Sequence, residues 1–158
     1  MRIALYEPDI PQNTGTILRT CACLGAEAHI IEPAGFPVTD RAFPRAGMDY
    51  LDRVAIVRHG SFAAFEDWRR LTRLSLVLLT TGAERGYLDH VFREDQVLLF
   101  GRESAGVPEA VHQAADFRLH IPMREGLRSL NIAVAVAMAA GEALRQTGGF
   151  ARQPPGVT

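Results

Sequence analysis

The chain has 158 residues, 47% of them hydrophobic, which suits one compact domain with a full-sized core. Its formal net charge of −1 argues against a protein that coats nucleic acid nonspecifically, although local basic patches are still allowed. No apolar run approaches the length of a membrane-crossing helix, and Met1–Tyr6 lacks the apolar centre and cleavage site of a signal peptide, so the expected setting is cytoplasmic, without membrane contact.

Arg2–Tyr6 reads as a buried strand, and Glu7-Pro8-Asp9-Ile10-Pro11 is too rich in proline to extend it. From Gln12 to Gly25, Ile17, Cys21 and Leu24 share one helical face, with Asn13 placed to cap the start and Gly25 the end. Cys21 and Cys23 lie two apart in a helical pattern, so their side chains point in different directions and cannot pair, and they fit neither a CxxC redox motif nor zinc; both read as apolar filler. Ala28–Ile31 is the second strand, with His29 a strand residue. The pattern weakens from Pro33 to Asp52, where Arg41 and Arg45, followed by Arg53, mark either a solvated segment or a basic edge facing substrate.

Val54–Val57 reads as a third strand. Ser61 can cap the next helix, in which Phe62, Phe65 and Trp68 recur at helical spacing and should face inward. Leu74–Thr80 and Gln96–Phe100 are continuously apolar, as in strands covered on both faces. After a short apolar segment ending at Pro122 comes a charged loop, then Ser129 in the position of an N-cap, and a helix over Asn131–Gln146. In that helix Ala133, Ala137 and Gly141 form a smooth stripe that something packs closely against. This alternation predicts an α/β domain over residues 1–147, with a mainly parallel sheet, helices on both faces, and a flexible tail at 148–158.

Ligands of open parallel sheets bind beyond the carboxyl ends of the strands. Three loops there stand out: Thr81-Gly82, Gly101-Arg102-Glu103-Ser104-Ala105-Gly106, and the stretch after Ile121. Neither GxGxxG nor a P-loop is present, which disfavours a dinucleotide or nucleotide-triphosphate site, and the five histidines are too scattered to suggest a metal.

Four separated motifs occur in order: Glu7-Pro8-Asp9-Ile10-Pro11-Gln12-Asn13-Thr14-Gly15 through Arg19; His29-Ile30-Ile31-Glu32-Pro33 with Arg45-Ala46-Gly47-Met48-Asp49-Tyr50; Phe100-Gly101-Arg102-Glu103 with Gly106-Val107-Pro108; and Ile121-Pro122-Met123 with Arg128-Ser129-Leu130-Asn131. In these the chain resembles the SPOUT class of S-adenosylmethionine-dependent RNA methyltransferases. Within that class it resembles the small stand-alone family that 2′-O-methylates the wobble nucleotide, cytidine or modified uridine 34, of leucine tRNAs. The resemblance implies a deep C-terminal trefoil knot and a homodimer. It implies S-adenosylmethionine held by Leu79, Thr80, Gly101, Glu103, Ile121, Met123, Ser129 and Leu130. The same resemblance implies catalytic roles for Arg19, Asn13, Ser129 and Asn131, with Arg19 serving the partner's cofactor. Arg41, Arg45 and Arg128 are the candidate tRNA contacts. A related enzyme acting on another tRNA or rRNA position, a silent RNA-binding knot protein, and a small-molecule α/β enzyme are the rival readings.

Overall fold

A computed structural model describes residues 1–37 and 53–151. Arg41 and Arg45 lie outside the described residues. The elements run β1 (Arg2–Tyr6), α1 (Pro11–Leu24), β2 (Glu27–Ile31), β3 (Ile56–His59), α2 (Phe62–Leu71), β4 (Ser75–Leu79), β5 (Arg85–Gly86), β6 (Gln96–Phe100), α3 (Glu109–Ala114), β7 (Phe117–His120) and α4 (Ile132–Thr147). The seven strands form one sheet in the order β3-β2-β1-β6-β4-β7-β5, with every pairing parallel.

Strand alternation sorts the core into two layers, since neighbouring side chains on a strand point to opposite faces. Ile3, Leu5, Val77, Leu79, Leu98 and Phe100 face the layer that holds Ile17 and Cys21 of α1 and Val136 and Ala140 of α4. Ala4, Tyr6, Leu76, Leu78, Val97 and Leu99 face the other layer, beneath Phe65 of α2 and Val111 of α3. Helices therefore cover both faces, and β6, at the centre, is buried along its whole length.

Several local readings shift. The third strand starts two residues later than expected, at Ile56, because pairing Ala28–Ile31 with Ile56–His59 brings polar Arg58 and His59 into an edge strand. Helix α1 starts at Pro11 rather than being capped by Asn13, which sits in its first turn. Proline at the first helical position gives up no hydrogen bond, and Ile10 supplies no side-chain cap. Gly25 ends α1 in the left-handed conformation (φ 66°), as expected. Cys21 is buried, with its thiol pushed up to about 12 by burial, whereas Cys23 is exposed and fills nothing. Ser61 caps α2 by accepting from the Ala64 N–H at 3.2 Å. Gly148 and Gly149 close α4, the latter donating to the Leu144 carbonyl at 2.9 Å.

A polar network ties α2 to the sheet. The Arg69 guanidinium grips both Glu66 oxygens (2.7 and 2.9 Å), the Leu74 carbonyl (2.7 Å) and Asp116, whose carboxylate also accepts from the Leu76 N–H at 2.7 Å. Nearby, His29 is fully buried. Its Nδ1 lies 2.9 Å from Nε2 of His59, their rings stack at 5.2 Å, and Trp68 covers His29 at 4.2 Å.

A hydrogen bond between two imidazoles needs one donor and one acceptor, so the two rings cannot both be protonated while it holds. Burial, then the charges of His59 and Arg2, lowers His29 to about 4; burial also lowers His59. The unfolded chain takes up protons near pH 6.5 that the folded chain refuses, so stability is full above pH 6.5 and declines towards pH 4. Urea unfolding should show a loss on the order of 2 kcal/mol between pH 7.5 and pH 5 from His29 alone. In His29→Phe that pH-dependent loss should shrink, even though the variant is weaker at pH 7.5. An identical pH slope in the two proteins would show that His29 does not carry the pH-dependent loss.

Candidate active site

Strand β4 pairs with β6 on one side and β7 on the other, and in both pairings its last residue is level with its neighbour: Leu79 lies opposite Phe100 and opposite Leu119. The loops leaving the three strands therefore start side by side. Between them and the N-terminus of α4 lies a cavity of about 210 Å³. The first loop contributes Leu79 and Thr80, the second Gly101 and Glu103, the third Ile121 and Met123, and the turn before α4 contributes Ser129 and Leu130. All eight residues expected around the cofactor thus line one cavity. Phe100, Val107, Ile132 and Ala135 add apolar wall.

Gly101 could carry no side chain here. A Cβ at this position would lie 2.7 Å from the Gly106 carbonyl carbon and 2.9 Å from its oxygen. The loop folds back on itself through reciprocal bonds between Arg102 and Gly106, both 2.9 Å, and Gly106 takes φ +65°, which glycine adopts at little cost. Gly101, Arg102, Glu103 and Gly106 of this loop all line the cavity.

Asn13 and Asn131 do not line the cavity themselves but form a directional relay that ends on Glu103 in its wall. Asn131, rather than Ser129, caps α4: its Oδ1 accepts from Ala133 at 2.9 Å and Val134 at 3.4 Å. The helix starts at Ile132, which puts Asn131 at the capping position and leaves Ser129 in the cavity wall. With its oxygen engaged, Asn131 donates through Nδ2 to Oδ1 of Asn13 at 3.1 Å, and Asn13 donates in turn through Nδ2 to the Glu103 carboxylate. Three residues far apart in sequence thus hold one another's orientation. Asn13 is available for this because Pro11 and Ile10 start α1.

Arg19 is exposed on α1 and does not line this cavity; Arg128 is exposed in the loop before α4 and does not line it either. Two side chains in the first motif were not singled out from the sequence. Asp9 accepts from the N–H groups of Glu103 and Ser104, both at 3.3 Å, and from the Ser104 hydroxyl, while Glu7 pairs with Arg102. Their signal was two carboxylates at alternate positions in a proline-braced loop. Among the described residues no group of His, Cys, Asp and Glu is arranged to hold a metal ion.

Residues 1–141 match the SpoU rRNA Methylase family. The chain belongs to that family. A tRNA (cytidine(34)-2′-O)-methyltransferase of Ancylobacter novellus is 63% identical over 156 residues, spanning 99% of each chain. The protein of the same name from Escherichia coli K12 is 39% identical over 150 residues, 94% of each. A structure solved for insight into 2-OH methylation of C/U34 on tRNA superposes with a TM-score of 0.83 at 43% identity, covering 92% of this chain and 94% of that one. The SpoU methyltransferase AviRb from Streptomyces viridochromogenes, in complex with AdoMet, gives 0.83 at 29% identity over 92% of this chain and 60% of that one.

For this SpoU-family chain the glycine pinch is directly testable. Gly101→Ala forces the Gly106 backbone to move, an overpacking that should cost about 1–3 kcal/mol in urea unfolding. It should also weaken S-adenosylhomocysteine binding by calorimetry at least about tenfold, a loss of about 1.4 kcal/mol. Wild-type affinity in Gly101→Ala would show that the pinch does not shape the cavity.

Proposed function

We propose that the chain transfers a methyl group from S-adenosylmethionine to the ribose 2′-hydroxyl of nucleotide 34, cytidine or modified uridine, in leucine tRNAs. One observation carries this reading: eight residues from four separated segments line a single cavity, and the Asn131–Asn13–Glu103 relay ends on one of them. The donor set suits an adenosyl ligand. Leu79, Phe100, Ile121 and Leu130 offer apolar faces for a purine ring, and the lining loops bring main chain within reach of its edge.

Bound there, S-adenosylmethionine supplies an electrophilic methyl group. The chain's own residues do the rest by positioning, which accounts for much of the acceleration in a displacement between two held partners. Glu103, fixed by Asn13, and Ser129 hold the methionine end of the cofactor and the acceptor ribose. A ribose hydroxyl is a poor nucleophile, and a guanidinium holds its proton too tightly to act as an ordinary base. Arg19 therefore orients the hydroxyl and an adjacent phosphate, with proton removal assisted at the phosphate. Its place away from the cavity of its own chain supports action on the cavity of a second copy.

The unit is residues 1–147, working as a cytoplasmic homodimer with its C-terminal segment threaded as a trefoil knot. Support for the dimer comes from α4, which leaves Val134 and Met138 exposed beside Ala137 and leaves open space over Gly141. Arg41, Arg45 and Arg128 are the tRNA contacts in this reading.

Three experiments test it. Tritiated methyl from S-adenosylmethionine should enter leucine tRNA carrying a 2′-hydroxyl at position 34 and not tRNA with a 2′-deoxy nucleotide there; incorporation at other positions would refute the assignment. Arg19→Ala should bind S-adenosylhomocysteine normally yet lose at least about 100-fold in kcat. Mixed with a cofactor-dead Gly101→Val chain, it should regain one working site per mixed dimer, and inactive, verified heterodimers would place Arg19 in the subunit it serves. For the interface, Met138→Glu should turn a sedimenting dimer into a monomer; an unchanged dimer would move the interface off α4.

A further inference from the structure

The loop joining β1 to α1 does more than lead into the helix. Glu7 adopts the left-handed conformation (φ 42°), donates its N–H to the Ile31 carbonyl at 2.8 Å, and directs its carboxylate to Arg102. Two residues on, half-buried Asp9 has its backbone braced against Gly35. The Gly35 N–H bonds the Pro8 carbonyl at 2.8 Å, and a Cβ on Gly35 would come within 3.1 Å of the Asp9 Cα. So braced, the Asp9 carboxylate divides its oxygens: Oδ1 takes the Glu103 N–H, and Oδ2 takes the Ser104 N–H and hydroxyl. These donors belong to the loop that lines the cavity, next to the residue at the end of the Asn131–Asn13 relay.

We propose that Asp9 is a positioning residue for methyl transfer: by holding the main chain of Glu103 and Ser104 it sets where the Glu103 carboxylate stands, while Asn13 sets its rotation. This rests on the methyltransferase reading above. Two independent grips, one on the main chain and one on the side chain, leave Glu103 a single location at the cavity rim. The division of labour with Glu7 is clear from the contacts. Glu7 holds Arg102, inside the pinch that Gly101 and Gly106 close, whereas Asp9 holds the part of the loop the pinch does not reach. Loss of Asp9 therefore frees residues 103 and 104 and leaves the pinch in place.

An isosteric Asp9→Asn variant separates positioning from general support. It keeps one acceptor oxygen, sets a donor against at least one backbone N–H in either orientation of the amide, and removes the negative charge. Amide hydrogen exchange by NMR should quicken at least about tenfold at Glu103 and Ser104 while the amides of Arg102 and Gly106 stay as protected as in wild type. Methyl transfer should lose at least about tenfold in kcat with KM for tRNA within about threefold, as expected when the reacting groups are mispositioned and tRNA binding is spared. The loss should not add to that of Glu103→Gln, because residues acting as one unit are non-additive. Asp9→Glu, which keeps both acceptors, should recover part of the rate. Unchanged exchange at residues 103 and 104, exchange that quickens throughout the pinch, or losses that add to Glu103→Gln would each overturn the assignment. If the wild-type protein methylates no tRNA, the methyltransferase reading fails, and the exchange measurement alone still decides whether Asp9 holds the loop.

Discussion

The site depends on one register. Because Leu79 is level with both Phe100 and Leu119, three loops leave the carboxyl edge of the sheet at the same height and can share a single cavity. A parallel strand slipped by one residue would turn its side chains to the opposite face, exchanging the layer under α1 and α4 with the layer under α2 and α3. The apolar alternation of β4 and β6 thus does two jobs. It builds a core on each face and fixes where the loops begin.

Within that frame, small residues decide how closely things approach. Gly101 and Gly106 bring one loop onto itself, and in α4 Ala133, Ala139, Ala140 and Ala143 are buried, so the helix axis can lie near the sheet and near α1. The stripe of Ala133, Ala137 and Gly141 turns out to be divided. Ala133 points into the core, Ala137 faces outward, and Gly141 is at the margin. A period of four drifts slowly around a helix of 3.6 residues per turn, so one row of small residues serves the interior at one end and the surface at the other.

Much of this was legible in the sequence because it rests on strong local signals. Continuous apolar runs gave away β4 and β6, and glycine punctuation marked the loop at Gly101–Gly106. The cofactor-facing residues came from family motifs rather than periodicity, and their convergence on one cavity follows from the sheet. What escaped was whatever depends on partners distant in the chain. His29 looked like an ordinary strand residue because nothing near it announces His59, about thirty positions on. The third strand was placed two residues early because hydropathy favours Val54 over Arg58, whereas pairing at a sheet edge accepts the arginine. Asn13 looked like a helix cap, since asparagine near a helix start usually is one; its real partners, Glu103 and Asn131, are supplied by the tertiary fold.

Asn131 shows why fold and site cannot be separated here. Its oxygen satisfies two N–H groups that the start of α4 would otherwise leave unpaired, and only then is its amide turned so that the nitrogen meets Asn13. The helix cap therefore sets the direction of the whole relay: with Asn131 donating, Asn13 must accept on oxygen and donate on nitrogen, and the chain of donors must end on an acceptor. A carboxylate is the natural terminus, because ionised it offers only acceptors, and Glu103 is placed there by Asp9 and the loop. Reversing any one amide would set donor against donor somewhere along the rim. The geometry that begins a helix thus also determines which way hydrogen bonds point at the mouth of the cavity.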